Sequence, residues 1–223
     1  MTSIESRLRR RDDVAAAAER AARGFRARAS EEGLVDIAYG WVDSPLGKLM
    51  AAATDDGLVR LGFETERVET TLEDLARKVS PRILQDDVRL EKIKRQLGEY
   101  FEGRRKAFEM PIDRQLIHGF HRLVLDATEK IPYGAVATYQ QVAERAGNPR
   151  ASRAAGNALG SNPIPIVIPC HRVVRAGHGL GGYGGGLDKK QLLLELEGVT
   201  VQLSGTKGSS GLLIAALGSE LRD

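Results

Sequence analysis

The 223-residue chain has a single cysteine, Cys170, which excludes a disulfide within it and leaves one thiol whose reactivity is set by its neighbours. No apolar signal segment and no run of about 18 apolar residues occurs, so no membrane partner is expected and a reducing, cytoplasmic setting is, nucleoid-associated in a prokaryote. Neither sign of charge dominates: 33 basic residues against 30 acidic ones give a formal +3, which permits an anionic partner without requiring one. Apolar residues, at 42%, are not scarce, so a disordered chain is excluded and two domains with cores of their own are expected.

Residues 1–33 are rich in Ala, Arg and Glu, with strong helix formers and few large apolar side chains from Val14 to Arg23. Such a segment builds no core, and two readings stand: a solvated extension, or a basic arm, Arg7 to Arg11, that contacts DNA. From 34 to 112 short apolar runs alternate with turn signals. Ile37 to Val42, Leu49 to Thr54 and Leu58 to Phe63 read as strands, separated by Ser44-Pro45-Leu46-Gly47 and Asp55-Asp56-Gly57. Helical spacing at Thr70 to Val79, and at Val88 to Phe101 with Val88, Ile93, Leu97 and Phe101 on one face, completes an α/β unit.

Residues 113–203 are mainly helical. Phe120, Leu123, Val124, Ala127 and Ile131 define one apolar face, which Ile131-Pro132-Tyr133-Gly134 ends. Thr138 and Gln141 have capping-box spacing and open a short helix that Gly147 can terminate. Asn148 as N-cap and Pro149 at the first helical position predict another helix to about Leu159. The pair reads as a helix-turn-helix or as any αα-corner. In the second helix Ala151, Ala154, Ala155, Gly156 and Ala158, with Arg150 and Arg153 beside them, suit either close approach to DNA or tight packing in a core. A loop with seven glycines spans 176–187, an amphipathic stretch Lys189 to Leu196 precedes Glu197, and residues 204–223 form a Gly/Ser-rich tail with an apolar patch at Leu212 to Leu217.

The stretch Asn162-Pro163-Ile164-Pro165-Ile166-Val167-Ile168-Pro169-Cys170-His171-Arg172-Val173 is the most informative. Its apolar, proline-stiffened run delivers the thiol into a largely dry setting, which raises a thiol pKa unless cations or donors offset it, and a histidine and an arginine follow at once. Here the sequence resembles the O6-alkylguanine-DNA alkyltransferases, also called methylated-DNA–protein-cysteine methyltransferases, across roughly residues 37–203. Pro-Cys-His-Arg-Val with the preceding Asn-Pro-Ile-Pro-Ile-x-Ile is the most specific element, joined by Ser44-Pro45-Leu46-Gly47 and Ile131-Pro132-Tyr133-Gly134.

The resemblance implies an α+β protein: a small ribonuclease-H-like α/β domain, then a mainly helical domain with a helix-turn-helix. It implies single-turnover repair, an alkyl group passing from O6 of guanine, and from O4 of thymine, to Cys170 without cofactor or metal. Cys170 falls at the acceptor, His171 at the residue drawing its proton through a water, Glu197 at the carboxylate orienting that histidine, and Asn162 at the brace of the turn. Tyr139 falls at the tyrosine that rotates the target phosphate and helps protonate the departing guanine. Arg153 falls at the arginine that replaces the flipped nucleotide, with Arg150, Ala151 and Ser152 beside it on the reading helix. Pro165, Val173, Tyr183, Gly184 and Lys190 fall around the base pocket. The implied partner is alkylated double-stranded DNA, met in the minor groove by a monomer.

Several positions depart from the family. There is no second cysteine for the zinc that some members bind, and His118 with His121 has two-ligand spacing but no further partners, as on an ordinary helix surface. Leu125 stands where many relatives carry tryptophan, and Gly160-Ser161 where Arg-Gly or Lys-Asn is commoner. Two other classes compete: a Cys-His thiol hydrolase, disfavoured if the adjacent pair lies on a strand and points to opposite faces, and a non-enzymatic lesion-binding module, whose relatives lack the cysteine.

Overall fold

The computed structural model describes residues 3–177, 179–206 and 209–214. The alanine- and arginine-rich start forms one long helix, α1 (Ser3–Glu31), with Val14 and Phe25 each 67% exposed. Gly33, at φ 66°, ends it by letting the Leu34 amide donate back to Ala29 (2.9 Å). The run Arg7 to Arg11 lies within α1, but its side chains fall outside what is described.

The three expected strands are β1 (Ile37–Val42), β2 (Leu49–Thr54) and β3 (Gly57–Phe63). They form an antiparallel meander, and the short β4 (Ile83–Gln85), too brief to show a period in the sequence, adds in parallel beside β1 to give the order β3-β2-β1-β4. The central strand is buried on both faces because Ala51, Ala52 and Ala53 leave room for layers above and below. Helix α2 (Val68–Lys78) covers one face, with Leu75 packing among Ile37, Met50, Ala52 and Val59. Helix α3 (Glu91–Phe101) and the second domain share the other through a single core containing Leu61, Leu97, Tyr100, Val124 and Ile168. The helix expected from Val88 begins only at Glu91, and Val88 is 74% exposed. The Asp86 side chain accepts from the amide of Val88 (3.0 Å), a local turn that competes with the helix.

The second domain packs α4 (Gly119–Glu129), α5 (Tyr139–Arg145), α6 (Ser152–Gly160) and α7 (Leu187–Leu196), with β5 (Ala137–Thr138) parallel to β6 (Val173–Val174). The expected capping box opens α5: Thr138 Oγ1 accepts from the Gln141 amide (3.2 Å) and Gln141 Oε1 from the Thr138 amide (2.7 Å). Gly147 closes α5 at φ 84°. Helix α6 starts at Ser152, three residues after the expected Pro149. Asn148-Pro149-Arg150-Ala151 instead forms a hydrogen-bonded turn, Ala151 N to Asn148 O at 3.0 Å, a use of proline as natural as a helix start. Of the small residues in α6, Ala155 and Ala158 pack in the core, while Ser152, Arg153 and Ala154 face outward. The chain read as a tail also contains a hairpin, β7 (Val201–Thr206) with β8 (Ser209–Ile214); residues 215–217 of the apolar patch lie outside the described residues.

Candidate active site

The link from α6 to the cysteine is a knotted turn held by one side chain. Asn162 Oδ1 accepts from the Ile164 amide (3.0 Å) while its Nδ2 donates to the Ile168 carbonyl (2.9 Å), closing the proline-rich run on itself. Within it Ile166 takes φ 74°, a conformation costly for a β-branched residue that only the surrounding bonds and full burial can hold. The Leu61 amide of β3 donates to the Pro163 carbonyl (2.8 Å), hooking the first domain onto the loop.

Cys170 does not lie on a strand. It opens a 3₁₀ turn, Cys170–Arg172, so the argument against adjacent cysteine and histidine cooperating, which assumed opposite strand faces, does not apply. The thiol is 6% exposed, and burial pushes its pKa up against the lowering effects of the Asn162 side chain, the Lys190 charge and the amides of Cys170 and His171.

His171 and Glu197 are buried together, with Nε2 2.9 Å from Oε1. Burial alone would raise the Glu197 pKa; the hydrogen bonds and charges of His171 and Arg172 outweigh it and hold the carboxyl at about 2. A carboxylate only accepts, so Nε2 carries the proton and Nδ1, buried and without a protein partner, is left as a base beside the thiol's own residue. Burial lowers the imidazole pKa despite its bond to Glu197, so the ring rests neutral.

Three partners of Glu197 were not legible in the sequence. Arg172, expected as a cation for the thiol, instead grips the carboxylate with both Nε and Nη2 (each 2.8 Å) and donates Nη1 to the Ile131 carbonyl. Tyr100, from α3 of the other domain, donates its hydroxyl to Oε1 (2.7 Å), and the Gly134 amide donates to Oε2 (3.2 Å). The only signal for Tyr100 was its place beside Phe101 on the apolar face of α3.

Lys190, expected around the base pocket, is fully buried and lines neither of the two cavities that reach Cys170. Its ammonium donates to the carbonyls of Val173, Leu180 and Gly182, tying α7 to β6 and the glycine loop, and burial lowers its pKa to about 8. Tyr183 stacks edge-on against Phe63 of β3 (centroids 5.8 Å apart), and its hydroxyl is buried without a protein partner. Tyr139 donates to the Gly182 carbonyl (3.3 Å) between Gly156 and Gly181, where a Cβ at Gly181 would come within 2.7 Å of its hydroxyl.

Tyr139, Arg153, Cys170 and Tyr183 meet around a cavity of about 680 Å³ bounded by α6 and the glycine loop, together with Ser152 and Gly184. Pro165 lies on a second cavity that also reaches Cys170, Tyr183 and Gly184. Arg150 is exposed in the turn before α6 and Ala151 is half-buried; neither lines these cavities. His118 occupies the N-cap position of α4 without a side-chain capping bond, His121 packs toward Ala158, and no group of three metal-capable side chains occurs among the described residues.

Comparison with known proteins agrees with this geometry. Residues 37–114 match the ribonuclease-like domain, and residues 119–199 the DNA binding domain, of 6-O-methylguanine DNA methyltransferase. The chain is 42% identical over 161 residues to the methylated-DNA–protein-cysteine methyltransferase of Mycolicibacterium paratuberculosis, covering 72% of this chain and 92% of that one. It is 36% identical to the protein of the same name from Methanosarcina acetivorans, covering 72% and 97%. Among solved structures, Mycobacterium tuberculosis OGT in complex with DNA superposes with a TM-score of 0.62 at 36% identity, covering 72% of this chain and 92% of that one. The chain, an α+β protein with a ribonuclease-like first domain and a DNA-binding second one, belongs to the methylated-DNA–protein-cysteine methyltransferase family.

Proposed function

We propose that this protein repairs DNA by direct reversal, taking an alkyl group, methyl above all, from O6 of guanine or O4 of thymine permanently onto Cys170. The observation that carries this reading is the buried Glu197–His171 pair, whose one uncommitted nitrogen, Nδ1, belongs to the residue that follows the chain's only thiol, Cys170, on the wall of an open cavity. The raised thiol pKa keeps the resting sulfur protonated, and the nucleophile forms when the proton passes through a water to Nδ1. The imidazolium so created is stabilised by a carboxylate already ionised and already fixed by Arg172 and Tyr100.

Thiolate then attacks the alkyl carbon in line. A carbon–sulfur bond forms as the carbon–O6 bond breaks, and Tyr139 helps supply the proton that makes the departing guanine neutral. The thioether has no easy leaving group, so each molecule acts once, and the lesion supplies everything that a cofactor would. An O6 adduct lies within the stack, so the nucleotide must be extruded. The outward face of α6, with Ser152 and Ala154, is small enough for a minor groove about 6 Å wide, and we assign Arg153, exposed beside them, to fill the vacated space. One copy of the chain supplies all of these groups, and we assign the activity to a monomer.

Incubation with a duplex carrying O6-methylguanine tests the reading by mass spectrometry. One methyl per protein is expected, on the peptide containing Cys170, and none in Cys170→Ala. An unmodified peptide beside intact lesion overturns it.

A further inference from the structure

The cavity reached by the reading helix is not the only space that opens on Cys170. A second one, of about 330 Å³, is bounded on one side by Cys170, Tyr183 and Pro165 and on the other by Arg60 and Glu66 of the first domain. Its volume falls within the range of about 300–1,000 Å³ typical of small-molecule sites, and a methyl group would fill only a corner of it. The two spaces share Cys170, Leu159, Gly160, Tyr183 and Gly184, so sulfur lies at their junction. Gly160 lines both of them. A Cβ there would meet nothing within 4 Å, and one at Gly184 would meet only the Gly160 carbonyl, at 3.7 Å.

The far wall is polar and held in place. Arg60 is the one residue of β3 not fully buried, and it is ion-paired with Glu66. Glu66 is itself fixed by the turn after β3: its amide donates to the Phe63 carbonyl (2.9 Å) and its Oε1 accepts from the Phe63 amide (3.2 Å). The Leu61–Pro163 hydrogen bond, one residue along from Arg60, sets the distance between this wall and the cysteine loop. Tyr183, which lines both spaces, carries a hydroxyl that is buried and without a protein partner.

We propose that this second space is a compartment for the distal part of the alkyl group, and that the Arg60–Glu66 pair selects neutral chains ending in a hydroxyl. The inference rests on the alkyl-transfer reading above and specifies its substrate class. With the α-carbon of the adduct at sulfur, a chain of about four carbons has somewhere to go other than back along the DNA. A terminal hydroxyl can accept from Arg60 and donate to Glu66. A terminal carboxylate would gain Arg60 and be repelled by Glu66, and an all-carbon chain would strip water from the pair without replacing it. The reaction is unchanged: the carbon–sulfur bond forms, the carbon–O6 bond breaks, and guanine leaves protonated.

Single-turnover rates on duplexes carrying O6-methyl-, O6-pentyl- and O6-(4-hydroxybutyl)guanine test this with the full chain. The hydroxybutyl adduct is expected to react about fivefold faster than the equally long pentyl adduct, the fold-change of one net neutral hydrogen bond. In Arg60→Met/Glu66→Leu that ratio is expected to fall to one or below while the methyl rate stays within about twofold, which also reports an intact fold. Equal rates for the two long adducts in the unaltered protein, or rejection of both, overturn the compartment while leaving methyl repair standing. Absence of transfer even from the methyl adduct overturns the repair reading itself.

Discussion

Glu197, buried against His171, and Arg153, on the wall of the cavity that reaches Cys170, could hardly be held more differently. The carboxylate is buried and receives hydrogen bonds from His171, Arg172, Tyr100 and the Gly134 amide. The guanidinium is exposed on α6, and no hydrogen bond or ion pair holds it among the described residues. The chemical end is organised before substrate arrives, so proton transfer needs no rearrangement. The capture end is left free, in keeping with the partner proposed for it, a base stack whose shape exists only in the complex. A substitution at the first end should therefore damage fold and reaction together, and one at the second should damage capture alone.

The largest effect is expected for Glu197→Ala, which strands a buried arginine and a buried histidine. Unfolding free energy, measured by denaturant titration, should fall by about 3–5 kcal/mol and transfer to Cys170 should vanish. A stable Glu197→Ala protein with normal transfer would erase the contrast between the two ends.

Next comes Arg153→Ala. Its stability should stay within about 0.5 kcal/mol of the parent protein. Its transfer rate on duplex DNA should drop about ten- to a hundredfold, the cost of leaving an extruded nucleotide's gap unfilled, while the slow reaction with free O6-methylguanine base is unchanged. An equal loss on both substrates would move Arg153 from capture to chemistry.

The gentlest probe is pH. Burial lowers the pKa of His171 in the folded state, so the neutral ring favours folding above the unfolded value of 6.5 and that contribution is lost as pH falls below it. Glu197, held at about 2 against an ordinary 4.5, adds stability that is lost as pH falls from about 4.5 toward 2. Both act in the same direction, so denaturant midpoints should decline steadily on the acid side. Transfer requires neutral His171, and the raised thiol pKa keeps direct thiolate from contributing near neutrality, so the single-turnover rate should be level from about pH 7 to 8. A rate rising tenfold per pH unit there would mean that the thiolate forms without His171.

Much of this was legible in residue order because it is local. The capping box of Thr138 and Gln141, the Gly147 stop and the three strands depend on side chains a few positions apart, and the structure has all of them. So does the Asn162 brace, which reaches only six residues, to Ile168. The misplaced starts of α3 and α6 have one cause: Asp86 and Asn148-Pro149 can serve a turn as readily as a helix, and packing decides between them.

Residue order alone was enough for the family and for singling out Cys170 and His171, since Pro-Cys-His-Arg-Val is a local motif in a chain with one cysteine. It could not assign Arg172 to Glu197 rather than to sulfur, bury Lys190 on three carbonyls, or bring Tyr100 to a carboxylate 97 residues away. Those outcomes follow from how two domains close on one core, where a charge or hydroxyl removed from water must find whichever partner the packing provides.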